Sequence, residues 1–587
     1  MSNRRKKSAA RVRRAEQAQP SYRGRRVTLA AMLGLAALTI VAGAVYQQIL
    51  QKDFLQARAD RKYLSPVTVP AHRGVITDRH GEVLAVSTPV DSVWADPRRF
   101  APDAAQLKAL ANVLGRKSDE LAKLVAAYRD KNFVYLARWL TPDKAAKVTA
   151  EAERLDLDGI GLRREYRRYY PAGEVFAHVV GFAGRDDSGL EGVELLYEDH
   201  LRGIAGRKWV IRDARRRMIE DVENIESPKA GRDLKLSLDR RLQFLAYRAL
   251  KSAVKKHRAV SASAVLLDAQ TGEVLAMVNQ PAYNPNGDRK GNGGRLRNRS
   301  MTDVYEPGST MKPFTVAAAF DAGILSPTSP IDTGRGVMRI GGHRVRDHRP
   351  LGVIDPATLL RKSSNVGAAK VALGLPREKY WGYLSRFGFG VPTGTGFPAE
   401  AGGRLADYHD WATIDHATLS FGYSISVSTL QLAQAYAVLA ADGVRRPVSL
   451  LRLEEAAGGE RVLSAEAART VRTMLEQVVS PEGTAPRAAV PGFRVSGKTG
   501  TVKKLGPNGY EKKKYRSLFA GMAPASDPRL VLVIMIDEPR AGDYYGGLVA
   551  GPVFSEIMTQ ALRLLNVAPD DPEVLSDLRL AVVEAEK

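Results

Sequence analysis

An α+β fold behind a single N-terminal transmembrane helix is what this sequence predicts, on three observations. Val27 to Val45, VTLAAMLGLAALTIVAGAV, is nineteen residues without a charge. ASAVLLDAQTGEVLAMVNQ is two apolar strands around a tight turn, a hairpin that can be neither helical nor parallel, and RSLFAGMAPASDPRLVLVIMIDEP gives two more strands. Small and apolar residues in TVAAAF and GPVFSEIMTQALRLLN predict helices to cover them.

The 587 residues, 44% of them hydrophobic, allow two to four domains with sizeable cores. Of the net charge of +24, residues 1–26 carry +9, so the remainder is diluted over the rest of the chain; no nucleic-acid module stands out and no nucleic-acid partner is expected. The absence of cysteine excludes disulfides and thiol chemistry.

Residues 1–26 read as a basic cytoplasmic tail and 27–46 as the span, whose nineteen uncharged residues reach about 28 Å at helical rise, enough for a hydrocarbon core. Ala42-Gly43-Ala44 resembles a signal-peptidase site, but the apolar run exceeds that of a signal peptide; the reading is an uncleaved anchor in the inner membrane. The positive tail keeps the N-terminus inside and exports everything after it. YQQILQKDFLQARADRKY reads as a juxtamembrane helix, and VTVPAHRGVITDRHGEVLAVS as short strands broken at Gly74 and Gly81. Residues 102–155 have helical spacing, and 156–230 return to strands and turns. From Gly231 a strand runs into a helix in DLKLSLDRRLQFLAYRAL; the hairpins and closing helix follow, and the acidic stretch from about 571 reads as a frayed tail.

Three short motifs carry chemistry. Ser309 and Lys312 in EPGSTMKPF share a helix face, where a desolvated amine near other cations becomes the base that activates a hydroxyl. Ser363 and Asn365 in RKSSNVGAAK could relay a proton and hold an amide, though Ser and Asn are also the residues that cap helices. Gly492 to Thr499, GFRVSGKT, fits the phosphate-loop pattern, but Gly500, Gly506, Pro507 and Gly509 forbid the helix such a loop needs. Lys498, Thr499, Gly500 and Thr501 instead read as a strand whose cation and hydroxyls suit a carboxylate, with Gly500 leaving the edge open to an incoming backbone. In the order SxxK, SxN, KTG the three become a strong signal.

With HRGVITDRHGEVLA, YYPAGEVFAHVVGFAG, GLEGVELLYEDHLRG and RNRSMTDVYEPGSTMKPF beside them, these motifs make the chain resemble the penicillin-binding proteins from the anchor to about residue 570, and among them the class B transpeptidases of the septal, division-specific type. The resemblance implies an elongated mixed α/β pedestal (dimerisation-type) domain over 47–230 and a transpeptidase domain over 231–570, its antiparallel sheet held between helical layers, with 571–587 as a flexible tail. It implies D-Ala-D-Ala stem peptides as donors, a meso-diaminopimelate acceptor, acylation by β-lactams, no cofactor and no metal, and as partners a SEDS-family glycosyltransferase and other division-complex membrane proteins. By motif, Ser309 is the nucleophile, Lys312 its base, Ser363 and Lys498 the proton shuttle, Asn365 the amide binder, and Thr499 and Thr501 the carboxylate binders. The N–H groups of Ser309 and Thr501 match the oxyanion hole. Tyr544 and Tyr545 in AGDYYGG match an aromatic wall, or else pack a strand end. Arg73, Gly74, Asp78 and Arg79 match a structural pedestal motif.

The sequence departs from the family at Val502, usually Ala, at Ser424, usually Gly, and at Thr429, usually Pro. Competing readings are an elongation-specific transpeptidase, separated only by flanking sequence; a β-lactam receptor, for which a 26-residue tail is too short an effector; and an idle division scaffold, disfavoured by three intact motifs. Glu400 in GFPAEAGG is the nearest acidic candidate for a base that would hydrolyse an acyl-enzyme, and it falls in a loop the family does not use catalytically.

Overall fold

The computed structural model describes residues 22–55, 64–212, 218–288, 291, 293–506 and 509–571. The basic tail up to residue 21, part of the juxtamembrane stretch and the acidic tail from 572 lie outside the described residues. Helix α1 (Arg23–Val45) is unburied along its whole length and, counted with the turn that follows to Leu50, contains an 18-residue stretch of mean hydropathy 2.1. It is long and apolar enough to cross a bilayer, the one such helix among the described residues.

The next part is built on two sheets. Strand β1 (Leu64–Val69) leads, and β2 (Ile76–Thr77) and β3 (Val83–Ala95) follow. Helices α2 (Ala104–Leu114) and α3 (Ser118–Ala127), strand β4 (Val134–Leu140), α4 (Pro142–Arg154) and β5 (Ile160–Tyr169) come next. Strands β6 (Gly206–Arg212), β7 (Met218–Glu226) and β8 (Leu234–Lys235) complete the two sheets. The order is β1-β6-β7 in one and β8-β2-β3-β4 in the other, with β5 also on β3. Strand β4 corrects the helical reading of 102–155: VYLARWL is β-branched and aromatic, and it pairs along β3, where Val93, Leu136 and Val148 share a small core with Leu110.

A buried ionic cluster binds this part together. Arg73 donates to Glu194 at 2.7 Å, Arg168 reaches the same carboxylate at 2.6 Å, and Glu198 lies 2.6 Å from Arg73. Asp78 accepts from the N–H groups of His80, Glu82 and Arg240, the last being the first residue of helix α5 (Arg240–His257). The motif thus works in two parts: Arg73 and Gly74 hold the first half together, Gly74 N–H donating to Leu201 O at 2.8 Å, while Asp78 and Arg79 form a joint to the second half, where Arg79 N–H donates to Leu238 O at 2.9 Å.

The second half is a five-stranded antiparallel sheet between helical layers. Strands β9 (Ser261–Asp268) and β10 (Val274–Gln280) form the first hairpin. Helix α6 (Lys312–Asp321), the small hairpin β11 (Val337–Ile340) and β12 (His343–Arg346), helices α7 (Pro356–Lys362), α8 (Asn365–Gly374), α9 (Thr413–Leu419), α10 (Thr429–Ala440) and α11 (Ala465–Val479) follow. Strands β13 (Ser496–Gly506), β14 (Gly509–Ala523) and β15 (Leu530–Asp537) and helix α12 (Gly551–Leu564) close the fold. The order is β10-β9-β15-β14-β13. All eight residues of β9 and all eight of β15 are buried, because α5 and α12 cover one face and α10 and α11 the other. That double cover is why those runs are apolar without alternation.

Two departures from the family pattern have a local reason. Ser424 has φ of 62°, a conformation glycine takes freely, and its hydroxyl donates to Asp415 at 3.0 Å. Thr429 opens α10, where proline loses nothing because the first N–H has no helical partner. Its buried hydroxyl instead lies 2.8 Å from Ser263 Oγ on β9 and 3.1 Å from Tyr305 OH. Thr429→Val removes the partner of two buried hydroxyls, each worth about 1–3 kcal/mol when left unpaired, and is expected to lower Tm by about 4 °C or more in thermal denaturation. A shift within measurement error would show that those bonds contribute nothing.

Candidate active site

Ser309 sits on a short 3₁₀ turn, Gly308–Met311, that runs into α6. In that turn residues three apart eclipse, so Lys312 stands directly over Ser309 and its Nζ comes within 3.0 Å of Ser309 Oγ. Thr310 ties the turn down, donating to Pro307 O at 2.8 Å and accepting from Tyr436 OH at 2.9 Å. Gly308 has φ of 59°, and a Cβ there would lie 2.3 Å from a methyl of Val502 on β13. The valine that replaces the usual alanine thus fills the space a side chain at 308 would need, against the turn that presents Ser309.

Ser363 is the elbow between α7 and α8, with φ of 61°. The helix-capping role that Ser and Asn could have played falls to the residue between them: Ser364 Oγ accepts from Gly367 N–H at 2.9 Å. Ser363 and Asn365 are thereby left for Lys312, whose Nζ lies 2.6 Å from Ser363 O, 3.0 Å from Ser363 Oγ and 2.7 Å from Asn365 Oδ1. Lys498 Nζ reaches Ser363 Oγ from β13 at 3.1 Å. One hydroxyl therefore lies between two amines, both fully buried.

Burial drives the Lys312 amine well below its ordinary value, the charge of Lys498 pushes the same way, and Asp347 opposes them. Burial brings Lys498 from 10.5 to about 7. The oxygens of Ser363 and Asn365 facing Lys312 include two carbonyls that can only accept, and a neutral amine satisfies both with its two N–H bonds, leaving its lone pair for the Ser309 hydroxyl. The arrangement can deprotonate Ser309 and pass a proton along a Lys312–Ser363–Lys498 chain.

Asp347 is the residue that spacing could not reveal. One oxygen accepts from Asn365 N–H at 2.5 Å and Val366 N–H at 3.0 Å, and the other from Ser364 Oγ at 2.7 Å. It fixes the start of α8 from a loop after β12, and only its acidic type hinted at it.

The remaining sequence-derived residues are distributed along the cleft. Thr499 Oγ1 lies 3.0 Å from Thr484 Oγ1, and Thr501 Oγ1 accepts from Gly546 N–H at 3.0 Å, which leaves its own O–H free to donate. Gly500 has a further reason: a Cβ there would meet Pro307 O at 3.0 Å and Thr310 Cγ2 at 3.1 Å, so the glycine also admits the chain's own nucleophile turn, while β13 is the end strand of its sheet. Tyr544 stacks between Tyr515 (4.2 Å) and Tyr545 (4.5 Å). Tyr545 is exposed, 6.5 Å from the His348 ring. Glu400 accepts from Thr393 N–H and the hydroxyls of Thr393 and Thr395, which closes its own loop.

The penicillin binding protein transpeptidase domain family matches residues 262–559, and the penicillin-binding protein dimerisation domain matches 68–236. The chain belongs to the penicillin-binding proteins. Among similar penicillin-binding proteins, the peptidoglycan D,D-transpeptidase FtsI of Escherichia coli K12 is 43% identical over 543 residues, 91% of each chain. The probable peptidoglycan D,D-transpeptidase PbpC of Pseudomonas aeruginosa is 42% identical over 92% of this chain and 94% of its own. The apo transpeptidase domain of Burkholderia pseudomallei penicillin-binding protein 3 aligns with a TM-score of 0.54 and 45% identity, covering 57% of this chain and 98% of that domain.

For this penicillin-binding protein the two buried lysines have a thermodynamic signature. Lys498 is charged in the unfolded chain up to about 10.5 but loses its proton near 7 when folded, so the unfolded state binds more protons between these values and stability rises with pH across that window. The native protein is expected to gain on the order of 1–2 kcal/mol from pH 7 to 9 relative to Lys498→Met, read as a Tm difference that changes with pH. A difference independent of pH would show that Lys498 is not held near neutrality.

Proposed function

We propose that the chain is a peptidoglycan D,D-transpeptidase that cross-links stem peptides at the division septum through a serine acyl-enzyme and is acylated by β-lactams. The observation that carries this is the 3.0 Å approach of Ser309 Oγ to a fully buried Lys312 amine whose pKa burial depresses. Ser309 Oγ attacks the carbonyl of the penultimate D-Ala and its proton passes to Lys312 Nζ. The N–H groups of Ser309 and Thr501 hold the developing oxyanion. The departing D-Ala nitrogen takes its proton from Ser363 Oγ, resupplied from the lysines on either side, and an acceptor amine later attacks the ester by the reverse path. Asn365 holds the donor amide, and Thr499 and Thr501 hold the terminal carboxylate.

The septal assignment draws support from the 43% identity to the Escherichia coli protein named FtsI. We assign residues 1–26 to the cytoplasm, 27–46 to the inner membrane, 47–230 to a pedestal, 231–570 to an exported transpeptidase domain and 571–587 to a tail. A SEDS-family glycosyltransferase and other division-complex membrane proteins are the proposed partners.

Fluorescent penicillin is expected to label Ser309 alone, in a single stoichiometric burst with a chromogenic cephalosporin and then near silence, because Glu400 is committed to Thr393 and Thr395. Labelling that survives Ser309→Ala, or turnover of many equivalents per second, would overturn the assignment. Lys312→Arg keeps the charge but cannot act as a base, since a guanidinium stays protonated at working pH. It should reduce the acylation rate at least about a hundredfold, the range of a lost general base; a rate above a tenth of wild type would remove Lys312 from that role.

A further inference from the structure

Between Arg335 and Arg349 the chain carries Arg335, Arg339, Arg344, Arg346 and Arg349 and one acid, Asp347. All five arginines are exposed, and none forms an ion pair with another described residue. Asp347 does not neutralise them, because both its oxygens are turned inward to Ser364, Asn365 and Val366. In the hairpin of β11 and β12, Arg339 stands directly opposite Arg344. Like charges in register destabilise a strand pair, so folding does not account for their placement. The hairpin is held in the fold by its opposite face, where Ile340 and Val345 pack on Val366, Ala369, Ala417 and Phe421.

The hairpin is fixed to the reaction centre. Asn365 Nδ2 donates to Arg346 O at 3.0 Å, and His348, beside Arg349, faces Tyr545 across the mouth of the cleft at 6.5 Å. A ridge of uncompensated guanidiniums, Arg339, Arg344 and Arg346 on one hairpin face with Arg335 and Arg349 in the flanking turns, thus adjoins the SxN motif.

We propose that this ridge is a docking surface for the carboxylates of the peptidoglycan stem peptide. The inference rests on the transpeptidase reading above. A stem peptide brings glutamyl and diaminopimelyl carboxylates in addition to its terminal D-Ala carboxylate, which the strand with Thr499 and Thr501 is proposed to take. Guanidiniums match carboxylates in geometry as well as charge. A penicillin whose side chain is uncharged lacks those additional carboxylates, so the ridge separates recognition of the polymer from acylation by such a drug.

The test uses the detergent-solubilised full chain and a fluorescein-labelled stem pentapeptide, compared with the same peptide amidated at its glutamyl and diaminopimelyl carboxylates and free at the terminal D-Ala. Fluorescence anisotropy should show the free-carboxylate peptide binding about tenfold tighter at low salt, with the preference lost in about 0.5 M salt. Arg339→Gln/Arg344→Gln/Arg349→Gln should abolish the preference, and the corresponding triple Arg→Lys variant should retain most of it. Penicillin labelling at Ser309 reports whether each variant is folded. Equal binding of the two peptides by a wild-type protein that still labels would overturn the ridge proposal alone, whereas failure of the wild type to label would overturn the transpeptidase reading.

Discussion

Two amines that share one buried hydroxyl cannot both stay charged, and this constraint organises the second half of the molecule. Moving an ammonium out of water costs several kcal/mol even after relaxation, and a serine hydroxyl supplies no compensating charge. Asp347 would supply one if it paired directly with Lys312, and the amine would then keep its proton. Its carboxylate is instead spent on two N–H groups and one hydroxyl, close enough to be felt and not close enough to neutralise.

The surrounding architecture holds that arrangement from three directions. The 3₁₀ turn places Ser309 under Lys312; the elbow at Ser363 turns a carbonyl and a hydroxyl toward the amine; the edge strand β13 delivers Lys498. Strands β9 and β15, buried on both faces, leave β13 little freedom to shift, since β14 locks it in register from Ser496 opposite Met522 to Lys503 opposite Tyr515. Val502, projecting from the same strand onto Gly308, couples the position of Lys498 to that of Ser309.

Much of this was legible in the sequence because it follows local rules. The span, the apolar hairpins and the closing helix carry their own periodicity, and the three motifs announce themselves by residue type and spacing. What escaped was set by contacts between distant segments. Strand β4 was hidden in helical surroundings and exists because β3 offers it an edge. Asp347 lies 17 residues from Ser364, with no spacing rule to join them. The cap at the SxN motif resolved onto Ser364 only once α8 had a direction. The packing of Gly500 against the nucleophile turn, in addition to its place on an end strand, likewise depends on a distant segment.

The junction at Asp78 has a mechanical consequence. Its carboxylate grips the first N–H of α5 as well as two N–H groups of its own loop, and α5 lies along β10 at the rim of the central sheet. Arg79 and His80 add two further attachments, to Leu238 and Asp239. A hinge requires backbone that can rotate without breaking bonds, and these residues have none to spare. A displacement of the first half is therefore passed on as rotation into the helical layer behind the sheet, which a flexible tether, able to carry tension alone, would not do.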